Sequence, residues 1–149
     1  MAPSVITGSC LCGHIRYEVS RAPVTTLLCH CDNCRKCTGS SFMANSFYSK
    51  EQLRIIAGED VLKVYEDKNQ ESGRVLSRSF CSNCGSPLFT TSQGIPEGEN
   101  AVAITSGTMD LEPSKSEWTP LQEFFCQKRR GWLPSLEGTI THDTVPQVL

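Results

Sequence analysis

All but one of the nine cysteines in this 149-residue sequence fall in three short clusters. Cys10 and Cys12 form the first cluster, and Cys81 and Cys84 form the last, each pair followed by glycine. Thiolate sulfur is a preferred ligand of zinc, which takes about four ligands in a tetrahedron. A tight pair of cysteines supplies two of them, so the two pairs together complete a four-sulfur shell. The spacing therefore predicts a zinc site that joins the beginning of the chain to its second half.

Two other interpretations of these pairs remain open. Cys81 and Cys84 have the spacing of a redox-active dithiol, but such motifs begin a helix in a βαβ setting. Here Pro87 and a strand pattern follow instead. Free cysteines are also common in apolar cores, and the isolated Cys126, which follows two phenylalanines, is predicted to be one of these.

The middle cluster offers a different kind of site. Cys29, Cys31 and Cys34 supply three sulfurs from one short segment. Three protein ligands with an exchangeable fourth position are typical of a catalytic zinc, so these cysteines are the predicted catalytic ligands. Cys37 lies one helical turn after Cys34 and could close the shell. His30 could also bind, although in an extended segment it points away from its cysteine neighbours.

Cations near this cluster are candidate binding groups for the carboxylates of a small-molecule substrate. Two basic residues follow Cys34, and a second basic run precedes Trp132. Basic side chains bind carboxylates through charge-assisted hydrogen bonds. The expected substrate-binding residues are Arg35, Lys36, Arg129, Arg130 and Trp132. Alternatively, residues 128–130 are solvent-exposed charged residues that bind no ligand.

The elements that must position these clusters are mostly short β-strands. The alternation of polar and apolar residues predicts strands over 4–9, 14–19, 24–29, 42–48, 53–56, 61–65, 74–80, 88–91 and 101–106. Asp32 suits the N-cap of one short helix over 33–38, and Gly39 suits its end. The Gly58-Glu59-Asp60 loop favours a hairpin between the strands over 53–56 and 61–65. We expect a single mainly β domain over residues 1–149, with a core over about 4–138 and a loosely held tail over 139–149.

Charge and composition argue against several classes of partner. The 14 Lys+Arg nearly balance the 16 Asp+Glu, whereas nucleic-acid-binding proteins usually carry a basic stripe. No apolar run approaches the ~18 residues of a membrane span, and the first residues lack the pattern of a signal peptide. Clustered thiols are reduced in the cytoplasm. We therefore expect a cytoplasmic protein with a small-molecule partner and no nucleic-acid or membrane partner; the oligomeric state is not indicated.

Three motifs in this order carry a resemblance to one family. GSCLCGHIRYEV, CHCDNCRKCTGSSF and RSFCSNCGSPLF resemble the glutathione-dependent formaldehyde-activating enzyme family, which includes centromere protein V. The ending EFFCQKRRGWLPSLEG is similar to that of fungal-type members. The resemblance spans residues 8 to 138, and the cysteine pattern is its most specific part.

The resemblance implies a β-tent fold of small twisted antiparallel sheets with two zinc ions per chain. It implies a structural zinc on the first and last cysteine pairs and a catalytic zinc on Cys29, Cys31 and Cys34. The implied activity is addition of glutathione sulfur to formaldehyde, a carbon–sulfur lyase reaction. This sequence departs from the family at Cys37, where a non-ligand residue is usual. Two alternatives are a pathway-specific enzyme that acts on a larger electrophile and a zinc-stabilised binding module. A binding module of this kind would be expected to carry an extended basic region, which this near-neutral sequence lacks.

Overall fold

A computed structural model of the chain describes residues 4–20, 22–93, 98–112 and 118–146. These residues include one α-helix, α1 (Asp32–Thr38), and several short 3-10 turns. No helix among them is long and apolar enough to span a membrane. The strands are β1 (Val5–Ser9), β2 (Arg16–Ser20), β3 (Thr25–Cys29), β4 (Met43–Ser49), β5 (Leu53–Ala57), β6 (Leu62–Asp67), β7 (Val75–Cys81), β8 (Pro87–Gln93), β9 (Ala101–Thr105), β10 (Gln122–Phe124) and β11 (Ile140–Thr141).

The strands form two sheets. The smaller has the order β1-β2-β5, and the larger, with eight strands, has the order β11-β10-β3-β4-β9-β8-β7-β6. Strand β10 runs parallel to both β3 and β11, and the other described pairings are antiparallel. The predicted mainly β fold with one short helix is confirmed. The large sheet is mixed rather than antiparallel because β10 returns to β3 from a distant part of the chain, as parallel pairing requires.

The chain passes from one sheet to the other at Gly58. Strand β5 pairs with β2 and strand β6 pairs with β7, so the predicted hairpin over 53–65 is wrong. Gly58 has a φ of 87°, a conformation that glycine adopts at little cost. A Cβ at this position would lie 2.4 Å from the carbonyl oxygen of His14. The glycine therefore lets the chain pass close beside the first cysteine turn before it enters the large sheet.

Two apolar clusters lie on the opposite faces of the large sheet. The first cluster packs the small sheet, through residues such as Tyr17 and Val19, against Tyr48 and Ile104 of the large one. The second contains Cys29, Cys31 and Cys34 together with Leu27, Met43, Phe124 and Phe125. Strand β4 contributes Met43 to the second cluster and Tyr48 to the first, because successive side chains of a strand face opposite sides. The middle cysteine cluster thus lies on the face away from the small sheet.

The C-terminal segment differs from the loosely held tail that the sequence predicts. Strand β11 pairs with β10, His142 packs edge-on against Phe124 with ring centroids 5.4 Å apart, and Val145 packs against the second cluster. Residues 147–149 lie outside the described residues. Strands β10 and β11 are too short for an alternating pattern to reveal, since their partner strand rather than their own sequence decides their conformation.

Candidate functional site

The first and last cysteine clusters lie on two similar turns. The N–H of Cys10 donates to the carbonyl of Ile15, and the N–H of Cys81 donates to the carbonyl of Ser86. The glycines that follow the two pairs, Gly13 and Gly85, both have a φ of 77°. This left-handed conformation, which glycine adopts readily, closes each turn so that both of its cysteines face the same point.

The structure brings the four sulfurs of these turns together. All four Sγ atoms lie within 4.8 Å of one another. The Sγ of Cys12 lies 3.5 Å from that of Cys10 and 3.8 Å from that of Cys81. Ligands on a tetrahedron with metal–sulfur bonds of about 2.3 Å are separated by about 3.8 Å. The pKa of Cys12 is lowered to about 5, chiefly by hydrogen bonds from the Asn83 side chain and the His14 backbone. The pKa of Cys84 is also lowered, to about 7, by hydrogen bonds from Ser86, whereas burial raises the pKa of Cys81 to about 11. The separations of the four sulfurs are those of a tetrahedral site, so the group could hold a metal ion.

The middle cluster is placed by the end of β3 and the beginning of α1. Cys29 is the last residue of β3, and Cys31 is the N-cap of α1, where its Sγ accepts a hydrogen bond of 3.3 Å from the N–H of Cys34. The predicted N-cap, Asp32, is instead the first residue of the helix. Its carboxylate is drawn away by ion pairs with Arg35 at 2.5 Å and with Lys128 at 2.7 Å.

Cys29, Cys31 and Cys34 form a second group of sulfurs within 4.8 Å of one another. All three are buried, with 4–6% of their surface exposed. The pKa of Cys31 is lowered to about 2, because the thiols of Cys29 and Cys34 hydrogen-bond to it, and the same contacts raise the pKa of Cys29. A negative charge is thus favoured among three closely packed sulfurs, which is the donor set that a soft metal ion requires.

Neither of the two alternative ligands joins this group of sulfurs. Cys37 is absent from the set within 4.8 Å and instead packs at the edge of the second apolar cluster. The Nε2 of His30 lies 3.1 Å from Glu123, while its Nδ1 has no hydrogen-bond partner among the described residues. Among the described residues, these three sulfurs therefore form the candidate metal-binding group.

Arg78 is the residue near this group that sequence reasoning missed. Its side chain is buried, its Nε donates to Asp67 at 2.8 Å, and its two terminal nitrogens lie 3.8 and 3.9 Å from the Sγ of Cys34. Burial opposes the charge, but Cys34 and Asp67 raise the pKa of Arg78 overall. Asn33 also donates to Asp67 at 3.0 Å. The only sequence signal is an arginine in a strand three residues before Cys81, on the face that alternation assigns to the interior.

The three sulfurs lie at the wall of an apolar cavity of about 120 Å³, hereafter the apolar cavity. It occupies the face of the large sheet opposite the small sheet. Polar side chains in its lining include Asn45, Arg78 and Ser92. Its apolar lining includes Leu27, Met43, Phe47, Leu76, Phe124 and Phe125.

A second opening, hereafter the polar cleft, reaches the same group from the outside. Its lining includes Cys31, Lys68, Asn69, Gln70 and Lys128. Cys31 and Gln70 line both the polar cleft and the apolar cavity. Lys128 is neutralised by ion pairs at 2.7 Å with Asp32 and with Glu71. Lys68 makes no ion pair with the described residues, so it is the cation in this cleft that is available to an anionic ligand.

The described lining of the apolar cavity and of the polar cleft includes none of the expected substrate-binding residues. Arg35 pairs with Asp32 and donates to the carbonyls of His30 and Lys128, and Arg129 pairs with the buried Glu123. Lys36 and Arg130 line a separate cleft that contains no described cysteine, and Lys36 also lines an opening that it shares with Cys37 and Arg78. Trp132 is 72% exposed. Arg35 and Arg129 are thus occupied by acids close to them in the sequence, and a role of the five residues in substrate binding stays a prediction.

Comparison with known proteins gives a consistent family. The family model described as glutathione-dependent formaldehyde-activating enzyme matches residues 5–128. A Halomonas elongata protein, named as a candidate glutathione-dependent formaldehyde-activating enzyme, is 29% identical over 94 residues, which are 62% of this chain and 60% of that protein. An uncharacterized lyase of Schizosaccharomyces pombe is 33% identical over 82 residues, which are 55% of this chain and 54% of that protein.

A solved structure supports the fold. The crystal structure of a Rhodobacter sphaeroides protein matches with a TM-score of 0.57 and 18% identity, covering 76% of this chain and 97% of that one. At this identity the likeness concerns the fold alone. The match to the two curated relatives spans 60% and 54% of their lengths.

Proposed function

The chain belongs to the glutathione-dependent formaldehyde-activating enzyme family, and we propose that it is a zinc-dependent carbon–sulfur lyase-type enzyme. Its substrate is the adduct of a thiol, glutathione in the simplest case, with formaldehyde or another small electrophile. Two zinc ions are proposed per chain. Cys10, Cys12, Cys81 and Cys84 hold the structural ion, and Cys29, Cys31 and Cys34 hold the catalytic one. The proposed compartment is the cytoplasm, which keeps these thiols reduced.

The observation that carries this proposal is the three-sulfur group between an apolar cavity and a polar cleft. Four-sulfur sites are closed and structural, whereas three protein ligands leave a position for substrate. A zinc ion held by the three cysteines would act as a Lewis acid and would lower the pKa of a thiol entering its fourth position. Cys31 lines both openings, so a thiol and an electrophile could approach from opposite sides.

The reaction itself makes or breaks one carbon–sulfur bond. The thiol sulfur adds to the carbonyl carbon while the π electrons of the C=O bond move to its oxygen, which takes up the proton lost by the thiol. The reverse reaction breaks the C–S bond and restores the aldehyde and the thiol. Lys68 in the polar cleft offers a charge-assisted hydrogen bond to a carboxylate of the thiol.

Arg78 is proposed as a positioning residue for this site. Its guanidinium lies against Cys34 and is held there by Asp67. Hydrogen bonds from groups around a metal site orient the ligands and tune their charge. A fixed cation beside the sulfur withdraws negative charge from Cys34, which would leave a bound metal ion more electrophilic.

The test is the rate of C–S bond exchange between glutathione and ¹³C-formaldehyde, measured by exchange NMR spectroscopy with and without the zinc-loaded protein. The native protein should accelerate exchange, and Cys34→Ser should lose at least about 100-fold of that acceleration, since even the loss of a group that only orients a metal ligand costs about 10–100-fold. Cys37→Ser is the matched control, since Cys37 lies outside the group, and it should keep the native rate. Native protein that holds two zinc ions but gives the protein-free rate would overturn the proposal.

A further inference from the structure

The apolar cavity is larger and more specific than formaldehyde requires. We infer that the electrophile of this enzyme is an aldehyde with an apolar body about the size of a benzene ring and one hydrogen-bonding group that pairs with Asn45. The inference rests on the proposed function and names the substrate class of the same site.

The size and lining of the cavity favour an apolar body. Its volume is about 120 Å³, and an apolar protein cavity of about 150 Å³ is known to bind benzene. Formaldehyde has one carbon and would leave most of this space empty. The side chains that line an empty space lack dispersion contacts on that side. A ligand that fills the space between Leu27, Phe47 and Phe124 makes these contacts and therefore gains binding energy that formaldehyde cannot gain.

Unpaired polar atoms on the cavity face favour a hydrogen-bonding group on that body. Asn45 lines the cavity, is 6% exposed, and its Oδ1 has no hydrogen-bond partner among the described residues. Ser92 also lines the cavity, and its buried Oγ likewise lacks a described partner. Buried polar groups in native proteins are almost always paired, and exceptions call for an explanation.

A third such atom lies beside Asn45. Thr105 is the direct cross-strand partner of Asn45 in the β4–β9 ladder, and its Oγ1 is buried without a described partner. Directly opposed residues of a sheet project to the same face. Three of the unpaired atoms therefore share one face of the large sheet, which is the pattern expected where a bound molecule supplies the missing hydrogen bonds.

The cavity suits the electrophile better than it suits the thiol. Glutathione would bring charged carboxylates against largely apolar walls. Of the two arginines in the lining, Arg78 is neutralised by Asp67 and faces Cys34, and Arg74, which makes no ion pair with the described residues, is partly exposed. The polar cleft with Lys68 is open to the thiol instead. A neutral hydroxyl on the aldehyde is the group that pairs with Asn45 without a charge, because it can donate a hydrogen bond to the unpaired Oδ1.

Binding of unreactive alcohols tests the inference apart from catalysis. The dissociation constants of benzyl alcohol and of its three ring-hydroxylated isomers are measured by calorimetry on the zinc-loaded protein. We expect the tightest hydroxylated isomer to bind at least about tenfold more tightly than benzyl alcohol, since a site built to hydrogen-bond rejects an analogue lacking the group. The Asn45→Leu variant should abolish this preference while keeping benzyl alcohol within about twofold of native.

Asn100→Leu is the matched control, because Asn100 is exposed and does not line the cavity. It should keep the native preference. The same preparations are assayed for C–S exchange with formaldehyde and with the hydroxybenzaldehydes. Formaldehyde exchange without any aromatic binding, or a preference that survives Asn45→Leu, would overturn the inference and leave the proposed function standing. A preference for the hydroxylated isomer that is lost with Asn45→Leu, but without exchange of any aldehyde, would support the cavity assignment and overturn the proposed function.

Discussion

Replacing Arg129 with methionine separates a structural role from a substrate-binding role. Its Nε and Nη2 lie 3.1 and 2.5 Å from one oxygen of Glu123, which is only 1% exposed. Removing one partner of a buried ion pair costs about 3–5 kcal/mol, because the other charge stays buried and unpaired. Glu123 keeps hydrogen bonds of 3.1 Å with His30 and 3.2 Å with the N–H of Leu136. We therefore expect the free energy of unfolding to fall by about 3 kcal/mol, the lower end of this range.

Urea unfolding at constant zinc and pH 7 measures this loss. With a slope of about 1.5–2 kcal/mol per molar urea, the midpoint should fall by about 1.5–2 M. Arg130→Met is the control, and its stability should change by less than about 0.5 kcal/mol, as is usual for residues outside such networks. The double variant Arg129→Met/Glu123→Gln removes the stranded charge and should recover at least half of the loss. An Arg129→Met variant with native stability but weakened glutathione-dependent exchange would refute this reasoning.

The remaining predictions concern pH and metal. Burial raises the pKa of Glu123, but Arg129, the Leu136 N–H and His30 lower it overall. The ionised Glu123 carboxylate therefore contributes its full share of the folding stability above the ordinary pKa of about 4.3, and this stability is lost as the pH falls through the lowered pKa of the folded state. The urea midpoint should therefore drop less on acidification in Glu123→Gln than in the native chain. Metal analysis after purification without chelator should give two zinc ions per chain; a value near one would remove the basis of the catalytic site. By circular dichroism, Cys81→Ser should be unfolded, because structural zinc contributes about 10 kcal/mol or more, whereas Cys34→Ser should stay folded; equal damage would contradict the division of roles. In the cobalt-substituted protein, glutathione should raise sulfur-to-metal absorption and S-methylglutathione should change it less; an unchanged spectrum would argue against an open position.

The grouping of the cysteines was within reach of the sequence. A pair of cysteines in a tight turn presents both sulfurs to one point wherever that turn lies, so local spacing identified the pairs that meet in the structure. The sequence also located α1, because glycine favours the left-handed conformation that ends a helix, and Gly39 has a φ of 65° in the structure. Most strands were located as well, because the alternation of polar and apolar residues reflects burial on one face. The N-cap was misassigned by one residue, because both Cys31 and Asp32 can accept the capping hydrogen bond.

The partners of each strand and each charge were decided only by the tertiary structure. The pattern of β5 and β6 is that of a hairpin, yet they belong to different sheets, because alternation records which face is buried and not which neighbour covers it. In the sequence Arg129 has no identifiable partner, whereas in the structure it forms an ion pair with Glu123 of β10. Arg78 lies beside the sulfur of Cys34 only because β7 is part of the large sheet. Metal ligation depends on short-range spacing, which a sequence displays. Pairing of charges, strands and cavity walls depends on contacts between distant segments, and for these the folded chain is the only record.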